Sequence, residues 1–416
     1  MTLTLNHEAN AGGGASKPKA RSTLLFVHAS ADLYGSDIIL LQLVAGLDPD
    51  RFEAVVVVPY RGPLVPYLEE AGAEVLVYPQ LPVIRRQHMN ARGLCRLAVH
   101  SLVTLRWISD LIRRRNVALV HYSTLAVSLA GLASKVAGRP QIFHVQEIIA
   151  RPRLVTAALA TLSSAASTLV VANSRATAKH YRGSRLAPSS APIRVIPNGV
   201  DEARLRKSPD ASLRSLVGAG AGETVFTLVG RINRLKGHSV FFEAAERLAA
   251  AFEHARFLVV GDSFAGQESL SEEVDRRIEA SDLLRGRAVR LPHVARVGDV
   301  YDASDVVVVP STEPESFGLV AAEAMAAGLP VIASRIGALP EVVDHGQTGI
   351  LVDPGDATSL LDAMRKLALS PTLRAEMGRA GRERFEHHYR ISGYAAEFNR
   401  TYDQLLGEGQ SCEIRG

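Results

Sequence analysis

The chain has 416 residues, 47% of them hydrophobic and 22% charged, with a formal net charge of +4. That length exceeds what one hydrophobic core usually spans, so two domains are expected, and the mild basicity admits an anionic ligand without calling for nucleic acid. Two cysteines, Cys95 and Cys412, are too far apart for a disulfide framework or a thiolate metal site and fit a reducing, cytoplasmic compartment.

Residues 1–20 contain Gly12-Gly13-Gly14 and no apolar run, so they read as a disordered leader and not as a signal peptide. Short apolar strands then alternate with helical segments. Strands are expected at 23–30, 53–60, 73–79, 118–123 and 140–147, with helices at 35–47, 63–72, 92–116 and 125–138. Residues 154–172 carry no charge, which raises the question of a membrane span. Thr156, Thr161, Ser163, Ser164, Ser167 and Thr168 dilute the stretch, and it divides into a helix followed by the strand "STLVVANS". The segment "APIRVIPNGV" (191–200) closes the first half.

Residues 201–222 are polar and glycine-rich and read as a linker. Their Gly218-Ala219-Gly220-Ala221-Gly222 run precedes a strand, whereas a dinucleotide fingerprint follows one and opens a helix. The alternation restarts with strands at 224–231, 255–262, 288–294, 305–311 and 330–334 and helices at 238–252, 271–283 and 318–328. An amphipathic segment at 391–406 precedes a short tail. Near-continuous apolar strands separated by helices predict an α/β fold: two Rossmann-like doubly wound domains, 21–200 and 223–390, facing a cleft. Ligands on such sheets bind beyond the carboxyl ends of the strands.

Two stretches carry chemistry. In "LVGRINRLKGH" (228–238) a strand ends at Gly230, and Arg231 and Lys236 bracket the loop before a helix. Two cations beside a helix N-terminus suit a diphosphate, and two solvated loop charges is the plainer alternative. In "PESFGLVAAEAMAAGLPVIAS" (314–334) a helix is expected to begin near Phe317 or Gly318, which leaves Glu315 at or before its start. The amides of Gly318, Leu319 and Val320 then lack intrahelical partners and can bind an anion. Glu323 lies one and a half turns inside, between Ala322 and Ala324, where a carboxylate needs a partner. A ligand hydroxyl or a charged neighbour would supply it.

These motifs resemble the retaining family-4 glycosyltransferases of the GT-B fold. The resemblance rests on the Glu315/Glu323 pair eight positions apart, Pro340-Glu341, "GQTGILV" (346–352), "VGRINRLKG", "RVIPNGVD" (194–201) and "HVARVGDVYDASDVVVVPS", and covers roughly 22–406. It implies a sugar-nucleotide donor. Glu323 would bond the ribose and Glu315 the sugar. The amides of Phe317 and Gly318 would hold the sugar, those of Leu319 and Val320 the phosphates, and Arg231 and Lys236 would neutralise the diphosphate. Gly35 and Ser36 in "ADLYGSDIILLQL" would approach from the opposite wall, although the family often has two adjacent glycines where this chain has Tyr34-Gly35-Ser36. His144 would lie beside the reacting sugar, with Glu147 either structural or facing the acceptor, and His28 and His121 also end strands. No metal or other cofactor is implied. In the family the last helix, here within 391–416, crosses back to the N-terminal domain.

The implied function is retaining transfer of a sugar to a saccharide or lipid-linked acceptor in cell-envelope or polysaccharide synthesis. The helix at 92–115 carries Arg92, Arg96, Arg106 and Arg113-Arg114-Arg115 with Leu102, Leu105 and Trp107, and Arg85-Arg86 precedes it. Such a helix suits either peripheral binding to an anionic membrane on its inner face or an ordinary solvated surface. A sugar-nucleotide epimerase of the same fold and a non-catalytic sugar-nucleotide-binding protein are the competing readings.

Overall fold

A computed structural model of the protein describes residues 21–84, 91–149, 152–188, 191–206, 213–220, 222–264, 266–292, 294 and 296–407, without the side chains of 91–95. The expected leader, Arg85-Arg86, the Arg92 side chain and the tail beyond 407 lie outside the described residues.

Seven parallel strands form the first sheet: β1 (Ser22–Val27), β2 (Phe52–Val58), β3 (Glu74–Val77), β4 (Leu119–Tyr122), β5 (Gln141–Val145), β6 (Leu169–Ala172) and β7 (Ile193–Val195), in the order β3-β2-β1-β4-β5-β6-β7. Six more form the second: β8 (Thr224–Val229), β9 (Ala255–Val260), β10 (Ala288–Leu291), β11 (Val306–Val309), β12 (Val331–Ser334) and β13 (Gly349–Val352), in the order β10-β9-β8-β11-β12-β13. The order reverses at β1/β4 and again at β8/β11, and each reversal opens a crevice at the carboxyl edge. Central strands such as β4, β5, β6 and β11 are buried at every position, as sheets covered on both faces require.

In the first lobe the helices are α1 (Gly35–Ala45), α2 (Leu64–Glu70), α3 (Ala91–Arg114), α4 (Leu132–Val136), α5 (Arg153–Ala166) and α6 (Arg175–Ser184). In the second they are α7 (Leu213–Leu216), α8 (His238–Ala251), α9 (Glu268–Ala280), α10 (Val297–Asp302), α11 (Leu319–Ala326), α12 (Leu339–Val342), α13 (Ala357–Leu369) and α14 (Pro371–His388), followed by α15 (Ile391–Leu406). The uncharged stretch 154–172 is buried helix α5 followed by strand β6, and no described helix is long and apolar enough to cross a membrane. The helix expected over 125–138 is instead a 3-10 turn, Leu125–Gly131, followed by α4. It packs against Phe143, whose ring leaves no room for a side chain at Gly131.

The segment expected as a linker is tied to the second lobe wherever it is described. Arg214 on α7 pairs with Asp305 at 2.9 Å and donates to the Glu223 carbonyl, and Val217 is buried against Val225 and Leu258. The chain passes between the lobes twice, side by side. The Val200 amide donates to the Tyr389 carbonyl at 2.8 Å, and the Ile391 amide returns a bond to the Val200 carbonyl at 3.1 Å. Beyond that point α15 packs on the first sheet. Tyr394, Phe398 and Tyr402 join the core of Leu24 and Phe26, and Arg194 donates to Thr401 and Gln404.

His121 and His144 are enclosed in this junction, their rings 5.4 Å apart, with Phe398 5.2 Å from His144 and the Tyr402 hydroxyl 2.9 Å from His121 Nδ1. Burial, and then the nearby His28, push His144 down to about 3, and burial holds His121 well below its ordinary value. The unfolded chain takes up these protons near pH 6.5 and the folded one only far below it. The stability gained from neutral rings is therefore complete above about pH 6.5 and drains away as the pH falls, by about 1.4 kcal/mol per pH unit per histidine. Urea denaturation between pH 7 and 4.5 is expected to show this slope, and His144→Phe to reduce it by one histidine's share; an unchanged slope would contradict the buried placement.

Candidate active site

The carboxyl edges of the two sheets enclose a cavity of about 250 Å³. Its second-lobe wall is the β8–α8 loop and the β11–α11 loop. Asn233 accepts from the amides of Leu235 and Lys236 and fixes a single 3-10 turn. Gly237 then reverses the chain at φ +72°, with its missing side chain replaced by the Pro310 carbonyl. Lys236 is thereby aimed into the cavity, where its Nζ donates to Glu315 Oε1 at 2.6 Å, and Ser311 donates to the same oxygen at 2.6 Å. Burial alone would raise the Glu315 carboxyl, but the Lys236 charge and these two bonds outweigh it and hold the group below the usual carboxylate range.

Gly318 starts α11 one residue later than expected, at φ +96°, and a side chain there would meet Leu339 at 2.7 Å. The first helical amide with a partner is that of Ala321, which donates to the Gly318 carbonyl at 3.0 Å. Among the described residues, the amides of Phe317, Gly318, Leu319 and Val320 donate to nothing, and all four residues line the cavity. Unpaired donors at a helix N-terminus beside an ammonium group form an anion site.

Four predicted members stand elsewhere. Glu323 is half-buried and accepts from the Tyr301 hydroxyl of α10 at 2.7 Å, so its partner is a protein group, and it is not among the residues that line the cavity. Burial raises it above the ordinary range. Arg231 is stacked between the rings of Tyr34 and Phe264, each centroid 3.7 Å from its guanidinium carbon, and lies outside the cavity lining, as does Gly230. His144 is the plain correction: its ring belongs to the aromatic junction with Phe398, not to the cavity wall, because β5 still runs through the core at that residue. The chain reaches the cavity two and three positions later, at Gln146 and Glu147.

The first-lobe wall consists of Gly35 and Ser36 at the start of α1, Gln146 and Glu147 after β5, Asn173 after β6 and Asn198 after β7. Sequence reading passed over Gln146 and both asparagines. Their position just past strand ends was the available signal, since a parallel sheet delivers its functional side chains there. Behind them His28 Nε2 lies 2.8 Å from Asp37 Oδ1, and Asp37 also accepts from Ser30 and the Tyr34 amide, which fixes the loop leading into Gly35. Among the described residues, no group of three or more His, Cys, Asp or Glu side chains is placed to hold a metal ion.

The walls are clamped together at the N-terminus of α6. Ser174 and Thr177 both donate to the Ser316 carbonyl, at 2.6 and 3.0 Å, and the Glu341 carboxylate accepts from the amides of Arg175 and Ala176, at 2.8 and 2.6 Å.

Comparison with known proteins agrees with this architecture. Residues 214–384 match the profile of "Glycosyl transferases group 1" and residues 35–204 that of "Glycosyltransferase Family 4". Two facing Rossmann-like lobes with an anion site on the second define the GT-B class. The chain belongs to the family-4 GT-B glycosyltransferases. It is 41% identical over 197 residues to a D-inositol 3-phosphate glycosyltransferase of Corynebacterium jeikeium, covering 45% of this chain and 46% of that one. To the protein of the same name from Segniliparus rotundus it is 34% identical over 294 residues, 68% of this chain and 61% of the relative. The chain thus spans between about half and three fifths of the length of these two relatives. Among solved structures, HepE of Anabaena in complex with UDP and glucose superposes with a TM-score of 0.77 at 23% identity, covering 92% of this chain and all of that one. Sucrose-phosphate synthase of Thermosynechococcus elongatus gives 0.73 at 21% identity, covering 93% of this chain and all of that one.

Removing the Glu341 carboxylate leaves two helix-end amides of α6 without their acceptor. Glu341→Ala is expected to lower unfolding stability by about 1 kcal/mol, in the range of a lost helix cap, and to raise the solution radius of gyration as the lobes part. Small-angle scattering that stays unchanged would show that the clamp does not set the closure.

Proposed function

We propose that the protein is a glycosyltransferase that moves a sugar from a uridine diphosphate sugar to a hydroxyl acceptor with retention of anomeric configuration. The observation that carries this reading is the anion site: Lys236 beside four amides without partners, facing a wall of polar side chains across the cavity between the lobes. The leaving group of such a transfer is a nucleoside diphosphate, and fixed donors contribute most where its charge develops. The choice of UDP is supported by the likeness to HepE, which has been solved with UDP and with UDP-glucose. Lys236 and the amides do the neutralising, joined by Arg231 if a diphosphate draws it from between its two rings.

Retention follows here without an enzyme nucleophile. Glu315 is engaged by Lys236 and Ser311, and Glu323 by Tyr301 outside the cavity, so neither is a free carboxylate at the reacting carbon. The reading is front-face substitution, with the departing β-phosphate taking the acceptor proton. An epimerase would instead need a free acid/base pair around the sugar.

Calorimetry is expected to show UDP binding more tightly than GDP, with Lys236→Ala weakening UDP roughly 10- to 100-fold, the scale of a lost charge-assisted bond. With UDP-glucose and acceptor, the product anomer read by NMR should match that of the donor. An inverted product, a trapped glycosyl-glutamate, or donor epimerised without transfer would each defeat the assignment.

A role at a membrane surface, with a lipid-linked acceptor, is supported by α3. Val99, Leu102 and Val103 are exposed on it, Leu102 at 67%, and Arg96 and Arg106 flank them, while Ile108, Leu111 and Ile112 anchor the other face in the core. Flotation with phosphatidylglycerol vesicles is expected to carry the protein up, and Arg96→Glu with Arg106→Glu to abolish this; equal flotation with neutral vesicles would remove the support.

A further inference from the structure

We propose that the first-lobe wall is an acceptor subsite for an uncharged, hydroxyl-rich group, and that Glu147 is the specificity-determining residue that turns a phosphorylated acceptor away. The proposal rests on the donor reading above, because it takes the second-lobe wall as the place of the diphosphate.

The wall holds one carboxylate, neutral side-chain amides and the start of α1, and no cation among its described residues. Glu147 lines the cavity with its carboxylate immobilised: the Thr124 hydroxyl donates to one oxygen, and the Gln146 amide donates to the other at 3.3 Å. Asn173 and Asn198 also line it, 1% and 5% exposed, and each side-chain oxygen has no partner among the described residues. Gln146 is committed through its amide nitrogen to the Ser123 carbonyl at 3.0 Å. The amide groups of these asparagines can donate to or accept from the hydroxyls of a sugar or cyclitol. Rotating either asparagine amide exchanges donor for acceptor but leaves the wall without positive charge.

A phosphate monoester fits this wall badly. It would bring negative charge to a wall that holds a carboxylate and no cation of its own among the described residues. Among the described lining residues Lys236 is the sole cation, and it belongs to the opposite wall, paired to Glu315 at 2.6 Å. Arg231 is held outside the cavity between two rings. Discrimination by a like charge and by buried polar groups left unpaired is the strong form of specificity. The chain therefore departs, at its acceptor end, from the relatives named for D-inositol 3-phosphate.

UDP binding to the wild type is measured first by calorimetry; its absence would overturn the donor reading and this proposal with it. UDP release from UDP-glucose is then followed with two acceptor pairs: myo-inositol against D-inositol 3-phosphate, and glucose against glucose 6-phosphate. The neutral member of at least one pair is expected to lead its phosphorylated partner by 10-fold or more in kcat/KM. Glu147→Gln, which keeps the bond to Thr124 and removes the charge, should narrow that ratio at least threefold, with UDP affinity reporting that the variant is folded. Asn173→Ala gives a second variant: it should raise KM for the neutral acceptor more than it lowers kcat. With UDP binding intact, three results overturn the proposal alone: a phosphorylated acceptor that leads, a ratio indifferent to Glu147→Gln, or no polyol that releases UDP above the acceptor-free rate.

Discussion

The Ser316 carbonyl and the Glu341 carboxylate meet the N-terminus of α6, and the cavity exists because of that meeting. Each lobe alone is an open parallel sheet with a row of loops along its carboxyl edge. Neither edge encloses a ligand. Ser174 and Thr177 reach across to Ser316, and Glu341 takes the first amides of α6, where the helix dipole favours a negative charge. Ser316 stands between Glu315 and Phe317, so the first lobe grips the very loop that carries the second lobe's anion site. On the other side the paired crossings at Val200 and Arg390 form a narrow hinge. A hinge of two strands and a clamp of four hydrogen bonds leave room for opening without unfolding, which a two-lobed site needs in order to admit and release a nucleotide.

The two walls present different groups to the cavity. The second lobe presents donors: an ammonium group and four amides at the start of α11. The first presents one carboxylate and two neutral side-chain amides: Glu147, Asn173 and Asn198. A sugar nucleotide has phosphate oxygens at one end and hydroxyls at the other. Lys236 already has a partner in Glu315, so an arriving phosphate shares this cation and does not find it bare. The pair keeps the ammonium oriented at the cost of some attraction. Arg231 is held back by stacking on Tyr34 and Phe264, an interaction worth about 1–2 kcal/mol where partly desolvated and weaker than a charge-assisted bond to phosphate. Its release would also loosen a contact between lobes, since Tyr34 belongs to one and Phe264 to the other.

Most of the strands were legible because parallel sheets buried on both faces need unbroken apolar runs such as "VVVV", and the glycines and Lys236 because they follow those runs directly; the short strand β13 was not. Helices α6 and α14 were not, since "RATAKHYRGS" is too polar and α14 buries little beyond Met377, Gly378, Gly381 and Phe385. Contacts between residues distant in sequence were invisible as well. Nothing local tells that Tyr34 will cover Arg231, that Tyr301 will answer Glu323, or that the aromatic face of α15 will close over His144. In that last case the residue type was suggestive, but burial by a helix some 250 positions later decided the outcome.

The spacing of Glu315 and Glu323 shows how close sequence neighbours can be separated by one backbone conformation. With Gly318 in the left-handed region, the chain turns between them. Glu315 stays in the loop, paired with Lys236 on the same wall of the cavity. Glu323 is carried into α11, whose neighbouring positions Ala322 and Ala324 are fully buried, and it meets the α10 hydroxyl of Tyr301. Burial raises both carboxyls, but the Lys236 charge and the bonds from Lys236 and Ser311 outweigh it at Glu315, so Glu315 lies below and Glu323 above the ordinary range. Carboxylates pushed apart in this way often serve as base and acid for one bond. Here they flank no common space, so the divergence reflects two separate environments, one an ion pair and the other a helix interface. Two carboxylates that act as nucleophile and acid must approach the same anomeric carbon. The turn at Gly318 sets Glu323 apart from the cavity that Glu315 lines, and it leaves the unpaired amides of 317–320 facing that cavity.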